Sequence, residues 1–269
     1  MCIRDRREEL FPPMVEALHK LGGIPIKPIL AESMQMGDEN HTRQTACDYI
    51  YDRLMLPALF ELDRPKKEIM KTVRYIVDTP RFFHCYGQAA ARAALVAADG
   101  TEYSTMVTAV CGNGVEFGIK IASLPGQWFT APAPMMKGRY TSSEFTEKDQ
   151  LPWMGDSCVV ECYGMGGFAA AASPIVCNLR GMTLKESIGQ TKEMYRITME
   201  KNYNFPIPNL DFDFLPVGID IRKVLKEGVC PAIHGGMFNR VGGLIGAGMA
   251  RVPMQCFEKA LVAFGEKYL

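Results

Sequence analysis

The middle of the chain reads Gly155-Asp-Ser-Cys-Val-Val-Glu-Cys-Tyr-Gly-Met-Gly-Gly-Phe-Ala-Ala-Ala-Ala-Ser-Pro174. It passes from an acidic turn through an apolar run, bends at a glycine cluster and continues as an alanine run. Glycine lets a ligand approach the main chain closely, and an alanine run favours a helix, whose bare N–H groups attract anions. The stretch therefore predicts an anion site, with the close packing of a small-residue helix as an equal alternative.

Five residues of this stretch are candidate ligands for a bound anion or substrate. They are Asp156, Glu161, Gly164, Gly166 and Gly167. The apolar run at 157–162 predicts a buried strand that leads into the glycine turn.

Composition excludes several classes of protein. The 30 basic and 30 acidic residues among 269 cancel, which argues against a nucleic-acid-binding surface. No apolar stretch approaches the roughly 20 residues of a membrane span, and the charged start lacks the apolar core of a secretory signal. The nine cysteines form no CxxC pair, which is typical of reduced, buried thiols. We therefore predict a cytoplasmic protein that binds neither nucleic acid nor membrane, with no metal site and no cofactor.

The pattern of apolar residues divides the chain near residue 100. Helical spacing at 7–20, 40–56, 66–77 and 82–98 predicts a small, mainly helical N-terminal region over 1–100, whereas two prolines make 24–30 an extended link. β-branched runs mixed with helices follow over 101–269, with a glycine-rich loop at 242–248. The strands do not alternate regularly with helices, and no GxGxxG or P-loop motif occurs. The predicted fold class is α+β with a mixed α/β second domain, not a doubly wound Rossmann sheet.

The first six residues look out of place beside the helical pattern that begins near Arg7. We interpret 1–6 as a non-native leader and the chain as truncated at its N-terminus.

A first polar cluster reads Gly37-Asp-Glu-Asn-His-Thr-Arg43. His41 is a candidate general acid or base whose tautomer a neighbouring carboxylate would set. Arg43 is a candidate for holding a carboxylate or phosphate. The alternative is a capped, solvated first turn of a helix.

Two further clusters carry candidate residues. In Cys111-Gly-Asn-Gly-Val-Glu116, Asn113 and Glu116 are candidate catalytic groups, although Asn-Gly also predicts a plain hairpin turn. Cys111 is a conceivable nucleophile, but a lone cysteine in apolar surroundings is more often inert. Nearer the C-terminus, His234 is a candidate catalytic residue at a strand end. Asp220, Gly246 and Gly248 are candidate substrate ligands, with helix capping and turn formation as the alternatives.

Several motifs occur in an order that resembles the AllG/YlbE-like family. The residues that carry the resemblance are Gly37–Arg43, Asn113-Gly-Val-Glu-Phe-Gly-Ile119, Trp128-Phe-Thr-Ala-Pro132, Gly155-Asp-Ser157, Gly164-Met-Gly-Gly-Phe168, Pro216-Val-Gly-Ile-Asp220 and Gly246-Ala-Gly248. The resemblance as a whole runs from about residue 25 to the C-terminus. Where a basic residue is expected just before Asn-Gly, this chain has Gly112.

The resemblance implies a subunit of oxamate carbamoyltransferase, which converts oxalurate and phosphate into oxamate and carbamoyl phosphate in purine (allantoin) breakdown. It also implies an FdrA-like partner subunit and leaves a homo-oligomer open. The competing hypothesis is a structural or regulatory partner of the FdrA-like protein, and a weaker one is an amidohydrolase that uses Cys111.

Overall fold

Five helices build the first hundred residues of the computed structural model, which describes residues 6–269. A single π-helical turn, Arg6–Leu10, leads into the first of them. The helices are α1 (Phe11–Lys20), α2 (Ile26–Gln35), α3 (Thr45–Phe60), α4 (Lys66–Val77) and α5 (His84–Val96). The leader predicted at residues 1–6 lies, except for Arg6, outside the described residues.

Helix α2 corrects the prediction of an extended link at 24–30. Its N-cap is Pro25, and Pro28 falls in its first turn. The first N–H groups of a helix have no partner within the helix, so proline is tolerated there. The two prolines therefore begin the helix instead of preventing it.

Within residues 6–269, nine strands form three antiparallel sheets. The first has the order β3-β2-β1-β5, the second β4-β9-β8 and the third β6-β7. Their bounds are β1 (Val107–Asn113), β2 (Glu116–Ile121), β3 (Phe129–Pro132), β4 (Lys137–Tyr140), β5 (Met154–Gly155), β6 (Thr198–Ile207), β7 (Asp213–Ile219), β8 (Ala232–Phe238) and β9 (Leu244–Arg251).

The helices of the second half are α6 (Val159–Cys162), α7 (Pro174–Leu179), α8 (Leu184–Met194), α9 (Ile221–Glu227) and α10 (Met254–Tyr268). Short 3-10 segments occupy Gly166–Ala172 and Pro208–Leu210. Helices and antiparallel sheets together confirm the predicted α+β class. The domain boundary near residue 100 stays a prediction.

Two local predictions were wrong. The run at 157–162 forms a turn and the short helix α6 instead of a strand, because an apolar run of this length suits either structure and tertiary packing decides. The predicted glycine loop at 242–248 becomes strand β9 from Leu244 onward. Gly248 shows why glycine is used in a strand: a Cβ there would lie 2.8 Å from the Lys137 carbonyl oxygen.

The segment Gly166–Ala172 lies at the centre of the molecule. Every one of its residues is buried, and it packs against α8 and β8. Its alanines leave room for those neighbours to approach closely. The alternative of close packing by small residues therefore describes the alanine run itself. None of the described helices combines the length and apolar character needed to cross a membrane.

Candidate functional site

Three segments that are distant in sequence converge beside the Gly166–Ala172 segment. They are the loop before α3, the turn that leads into α6, and the outer edge of β8. The loop supplies Glu39 and His41, the turn supplies Ser157, α6 itself supplies Glu161, and β8 supplies His234. All except Ser157 are buried. Buried ionisable groups need partners, and each of them finds its partners among the others.

Ser157, His41 and Glu161 form a hydrogen-bonded chain. The Ser157 Oγ lies 2.9 Å from Nε2 of His41, and Nδ1 of the same ring lies 2.8 Å from Glu161 Oε1. With its proton on Nδ1, His41 donates to the carboxylate and offers the Nε2 lone pair to the serine hydroxyl. A carboxylate, an imidazole and a hydroxyl in this order can withdraw the hydroxyl proton.

Backbone groups hold Glu161 in place. Its Oε1 accepts the N–H of His234 at 2.8 Å and the N–H of Gly167 at 3.1 Å, besides the His41 ring. Burial raises the pKa of Glu161, and the charge and hydrogen bond of His41 oppose that rise. The carboxylate is thus fixed by β8 and by the glycine turn together.

A second pair, Glu39 and His234, lies deeper. His234 Nδ1 is 3.2 Å from Glu39 Oε2, and its Nε2 is 2.9 Å from the Gln190 amide nitrogen. Burial lowers the pKa of His234 to about 3, so its ring is neutral. Burial alone would raise the pKa of Glu39, but the His234 hydrogen bond and the Arg180 charge together lower it to about 2.

Glu39 also shapes the loop that carries His41. Its Oε1 accepts backbone N–H groups from His41, Thr42 and Arg43, and its own carbonyl accepts the N–H of Gly166 at 2.7 Å. The buried carboxylate therefore caps the turn that carries the His41 ring.

Gly166 is required by this packing. Its φ is +58°, and a Cβ there would overlap Glu161 Oε1 and approach the His41 Cβ to 3.0 Å. A side chain at this position would push both groups away from each other. The glycine turn thus serves the imidazole–carboxylate contact directly.

A cavity of about 370 Å³ opens beside His41 and Ser157. Gly235 and Gly236 of β8 line one wall, and the Trp153 ring lines another. Exposed Arg81, Met154 and Leu244 also line it, so the cavity reaches the surface.

The outer edge of β8 borders this cavity. β8 is an edge strand of its sheet, with β9 as its neighbour. The His234 N–H points away from β9 and donates to Glu161. The Phe238 carbonyl also points away from β9 and accepts the Leu151 N–H at 2.8 Å. Alternate residues of a strand face the same edge. The Gly236 N–H therefore points the same way, where Gly236 lines the cavity.

Two further polar residues line the cavity, the histidine His84 and the arginine Arg81. The His84 ring stacks on His41, with centroids 5.7 Å apart, and burial lowers its pKa to about 4. Arg81 has a left-handed φ of +62°, an uncommon backbone state for a non-glycine residue. Among the described residues that line the cavity, only Arg81 carries a permanent charge.

Arg180 brings a buried cation behind the wall. Its guanidinium donates to the Thr42 hydroxyl and to the Gly248 carbonyl at 3.1 Å. Burial lowers its pKa, and the nearby Glu39 carboxylate opposes that effect. Within residues 6–269, no three His, Cys, Asp or Glu side chains are arranged to hold a metal ion.

The structure brings some of the candidate residues together. His41, Glu161, Gly166, Gly167 and His234 meet in the cluster, Gly246 lines the cavity, and Gly248 accepts a hydrogen bond from Arg180. Gly164 lies one turn away, with a φ of +96° and a backbone packed against Pro216.

Other candidates lie elsewhere. Asn113 closes the hairpin by accepting the N–H groups of Val115 and Glu116, and Glu116 accepts the Thr130 hydroxyl. Asp220 caps α9 and pairs with Arg222. Within the described part of the chain, none of these three residues forms a hydrogen bond to a member of the His41 cluster. Their catalytic and binding roles therefore stay predictions.

Arg43, Asp156 and Cys111 also lie outside the cavity wall. Arg43 donates to the Gly37 carbonyl and lies 3.6 Å from Asp38. Asp156 and Cys111 line a separate cleft, where burial raises the pKa of the Cys111 thiol. That shift disfavours the thiolate that a cysteine nucleophile needs.

Sequence reasoning missed Ser157, Glu39, His84, Arg81 and Arg180 as parts of the site. The motif Gly155-Asp-Ser157 carried the family resemblance, which was the available signal for Ser157. Nothing local distinguishes Arg81 or Arg180 from surface arginines.

Comparisons with known proteins agree with this architecture. The family model described as "Oxamate carbamoyltransferase subunit AllG" matches residues 3–157. The chain is 36% identical to the uncharacterized protein YahG of Escherichia coli K12 over 97% of its length, covering 56% of YahG. It is 34% identical to the oxamate carbamoyltransferase subunit AllG of the same organism, again over 97% of the chain and 63% of that protein.

A crystal structure of a conserved protein of unknown function from Enterococcus faecalis V583 superposes with a TM-score of 0.93 at 36% identity. The match covers 97% of this chain and 63% of that one. The chain thus spans less than two thirds of the length of these relatives.

Proposed function

The chain belongs to the family of oxamate carbamoyltransferase subunits AllG, and from that premise we propose that the cavity beside His41 is where the carbamoyl group is transferred. The substrates would be oxalurate and phosphate, and the products oxamate and carbamoyl phosphate. This family membership confirms the resemblance inferred from the ordered motifs.

The observation that carries the proposal is the Ser157–His41–Glu161 chain at the cavity wall. Cleavage of oxalurate expels an amide nitrogen, which is a poor leaving group unless it receives a proton. An imidazole held by a carboxylate can accept a proton as the new bond forms and return it to the leaving nitrogen. His41 has both the partner and the access for this role.

Charge stabilisation completes the chemistry. The carbamoyl oxygen gains negative charge as its carbon becomes tetrahedral, and backbone N–H donors fixed before reaction stabilise such charge well. Both Gly236 and Arg81 line the cavity, and in this proposal the Gly236 N–H donates to that oxygen while Arg81 holds the substrate carboxylate or phosphate. A substitution Arg81→Ala should raise KM for oxalurate and phosphate more than it lowers kcat, with the exposed Arg74→Ala as control.

We extend the proposal to the assembly: an FdrA-like partner completes the enzyme in the cytoplasm. Apolar Met154 and Leu244 at the cavity mouth are 44% and 49% exposed, which suits coverage by another chain. The competing view of a non-catalytic partner subunit predicts that the cluster can be altered without loss of turnover.

The test is reconstitution of the complete enzyme with its partner subunits. Carbamoyl phosphate formed from oxalurate and phosphate is measured with the wild-type chain, with His41→Gln, and without the chain. We expect full turnover only with the wild type, while His41→Gln still assembles by size-exclusion chromatography. Full turnover with His41→Gln would show that this chain is a structural subunit. Full turnover without the chain would show that the reaction takes place on its partners.

A further inference from the structure

We propose that Ser157 accepts the carbamoyl group and carries it from one substrate to the other. This inference rests on the proposed function, because it concerns the same cavity and the same reaction. It adds a covalent carbamoyl-serine intermediate, and therefore two successive half-reactions, to a transfer that could otherwise occur directly between the bound substrates.

The position of the Ser157 hydroxyl supports the assignment. Its Oγ lies 2.9 Å from His41 Nε2, and the side chain is partly exposed in the cavity wall. The lone pair of Nε2 is free to take its proton because Nδ1 donates to Glu161. A hydroxyl is a weak nucleophile until an adjacent base activates it, and this base is in place.

The other nucleophilic groups nearby are placed differently. Thr42, the second hydroxyl of the cavity wall, accepts from the Arg180 guanidinium and so pairs with a cation instead of a base. Cys158 is fully buried, and burial raises the pKa of its thiol well above the ordinary value. Ser157 is the side chain that combines access with a base.

The two half-reactions balance as follows. In the first, the Ser157 Oγ bonds to the carbamoyl carbon of oxalurate as His41 takes the hydroxyl proton. The C–N bond to oxamate then breaks, and His41 gives that proton to the departing nitrogen. In the second, a phosphate oxygen bonds to the carbamoyl carbon and the bond to Oγ breaks. His41 takes the proton of the attacking monoanionic phosphate and returns one to Oγ, so carbamoyl phosphate leaves and the serine is restored.

Electrostatics favours this order over simultaneous binding. Both substrates are anions, and among the described residues of the cavity wall one permanent cation, Arg81, faces them. Two anions held close together in one cavity repel each other. If oxamate leaves before phosphate enters, the same cation serves each anion in turn.

The experiment uses the assembled enzyme with carbamoyl phosphate labelled in its carbamoyl carbon, and no oxamate. After an acid quench, the label bound to protein is counted and its position mapped by peptide mass spectrometry. In parallel, exchange of labelled inorganic phosphate into carbamoyl phosphate is followed, again without oxamate. The variants are Ser157→Ala, Ser157→Cys and, as a matched control, the exposed Ser143→Ala.

Wild type and Ser143→Ala should bind label at residue 157 and catalyse the exchange. Ser157→Ala should lose the label and about 10³-fold or more of both exchange and overall turnover, with unchanged thermal unfolding. Ser157→Cys distinguishes a nucleophile from a residue needed only for folding. If residue 157 is the nucleophile, the cysteine variant should still bind label, and its labelling should become sensitive to iodoacetamide.

Overall turnover by the wild type without exchange and without label would overturn the covalent step while leaving the proposed function intact. Label on another residue, or turnover by Ser157→Ala near the wild-type rate, would overturn it as well. Absence of any oxalurate or oxamate turnover in the assembled wild type would instead reject the proposed function.

Discussion

The described part of the chain contains two histidine–carboxylate pairs, which differ in the group that contacts the second ring nitrogen. In His41–Glu161, Nε2 points to the Ser157 hydroxyl at a cavity wall. In His234–Glu39, the corresponding nitrogen meets the Gln190 amide in the interior. The same two residue types therefore form one pair that can pass a proton outward and one that is sealed. Access and partner, not residue type, separate the two roles.

The pairs are also connected, since the His234 N–H donates to Glu161 and Glu39 accepts the N–H of His41. Each carboxylate thus serves its own histidine ring and the backbone of the other pair. We expect the outer pair to control turnover and the inner pair to control stability.

The largest expected effect separates the two histidines. His41→Gln should lower kcat by about 10²–10⁴-fold, the usual contribution of a general acid–base group. His234→Gln should lower the kcat of folded, assembled enzyme much less. Steady-state assays of both variants, normalised to folded protein by circular dichroism, provide the measurement. Equal losses in kcat would show that His234 acts catalytically, as the sequence alone predicts.

The next effect concerns the inner carboxylate. Glu39→Gln should lower the free energy of unfolding by about 1.5–3 kcal/mol, the range for hydrogen bonds to a charged group. Its anionic form accepts three backbone N–H groups as well as the His234 ring. Urea denaturation measures the change, with the exposed Glu102→Gln as control. A change below 1 kcal/mol would contradict a stabilising role for the inner pair.

A smaller effect tests the glycine that lies between the pairs. Gly166→Ala adds a Cβ that would overlap Glu161 Oε1, whereas Gly164→Ala adds one that would overlap the Pro216 carbonyl oxygen away from the cluster. Both positions have positive φ, so each variant should lose about 1–3 kcal/mol of stability. Only Gly166→Ala should also lower kcat per folded molecule. Equal kcat values would show that Glu161 and His41 tolerate the displacement.

The smallest effect is a pH dependence. The pKa of His234 falls from 6.5 to about 3 on folding, so below pH 6.5 the unfolded chain binds a proton that the folded chain does not. Stability therefore decreases as pH falls, by up to about 1.4 kcal/mol per pH unit from this group. His234→Gln should reduce the slope by that amount between pH 6.5 and 5.

Other groups titrate in the same window but cancel in this comparison. The lowered pKa of His84 adds to the slope, and burial raises the pKa values of Asp38 and Asp52 to about 6, which opposes it. All three residues are present in both proteins, so the difference in slope reports His234 together with Glu39, whose pKa the His234 hydrogen bond lowers. Identical slopes would mean that His234 is protonated in the folded chain.

Local sequence was sufficient for much of the fold. Spacing of apolar residues located α1, α4 and α5, because these helices bury one face against the rest of the molecule. It failed at α2, where prolines fall in positions that a helix start tolerates, and at α6, where six residues of apolar sequence fit two structures.

Local sequence indicated only some of the residues of the candidate site. His41 and Glu161 stood out because a histidine beside carboxylates and a carboxylate before a glycine turn are locally unusual. Their partnership was not visible, since 120 residues separate them. Ser157 meets His41 across 116 residues, and no periodicity encodes such a contact. Sequence indicated the components, and the tertiary fold decided which of them meet.

The packing of Trp153 has a practical consequence. Its indole lies so close to Gly235 of β8 and Gly112 of β1 that a Cβ at either position would come within 2.7 Å of the ring, and the same indole lines the cavity. The other tryptophan, Trp128, is 45% exposed and lies under the Lys120 ammonium group in another cleft. The protein therefore carries an intrinsic fluorophore at its candidate site. Trp128→Phe would leave a single tryptophan among the ten tyrosines, and the quantum yield of that tryptophan reports, without any added dye, when that cavity fills and empties.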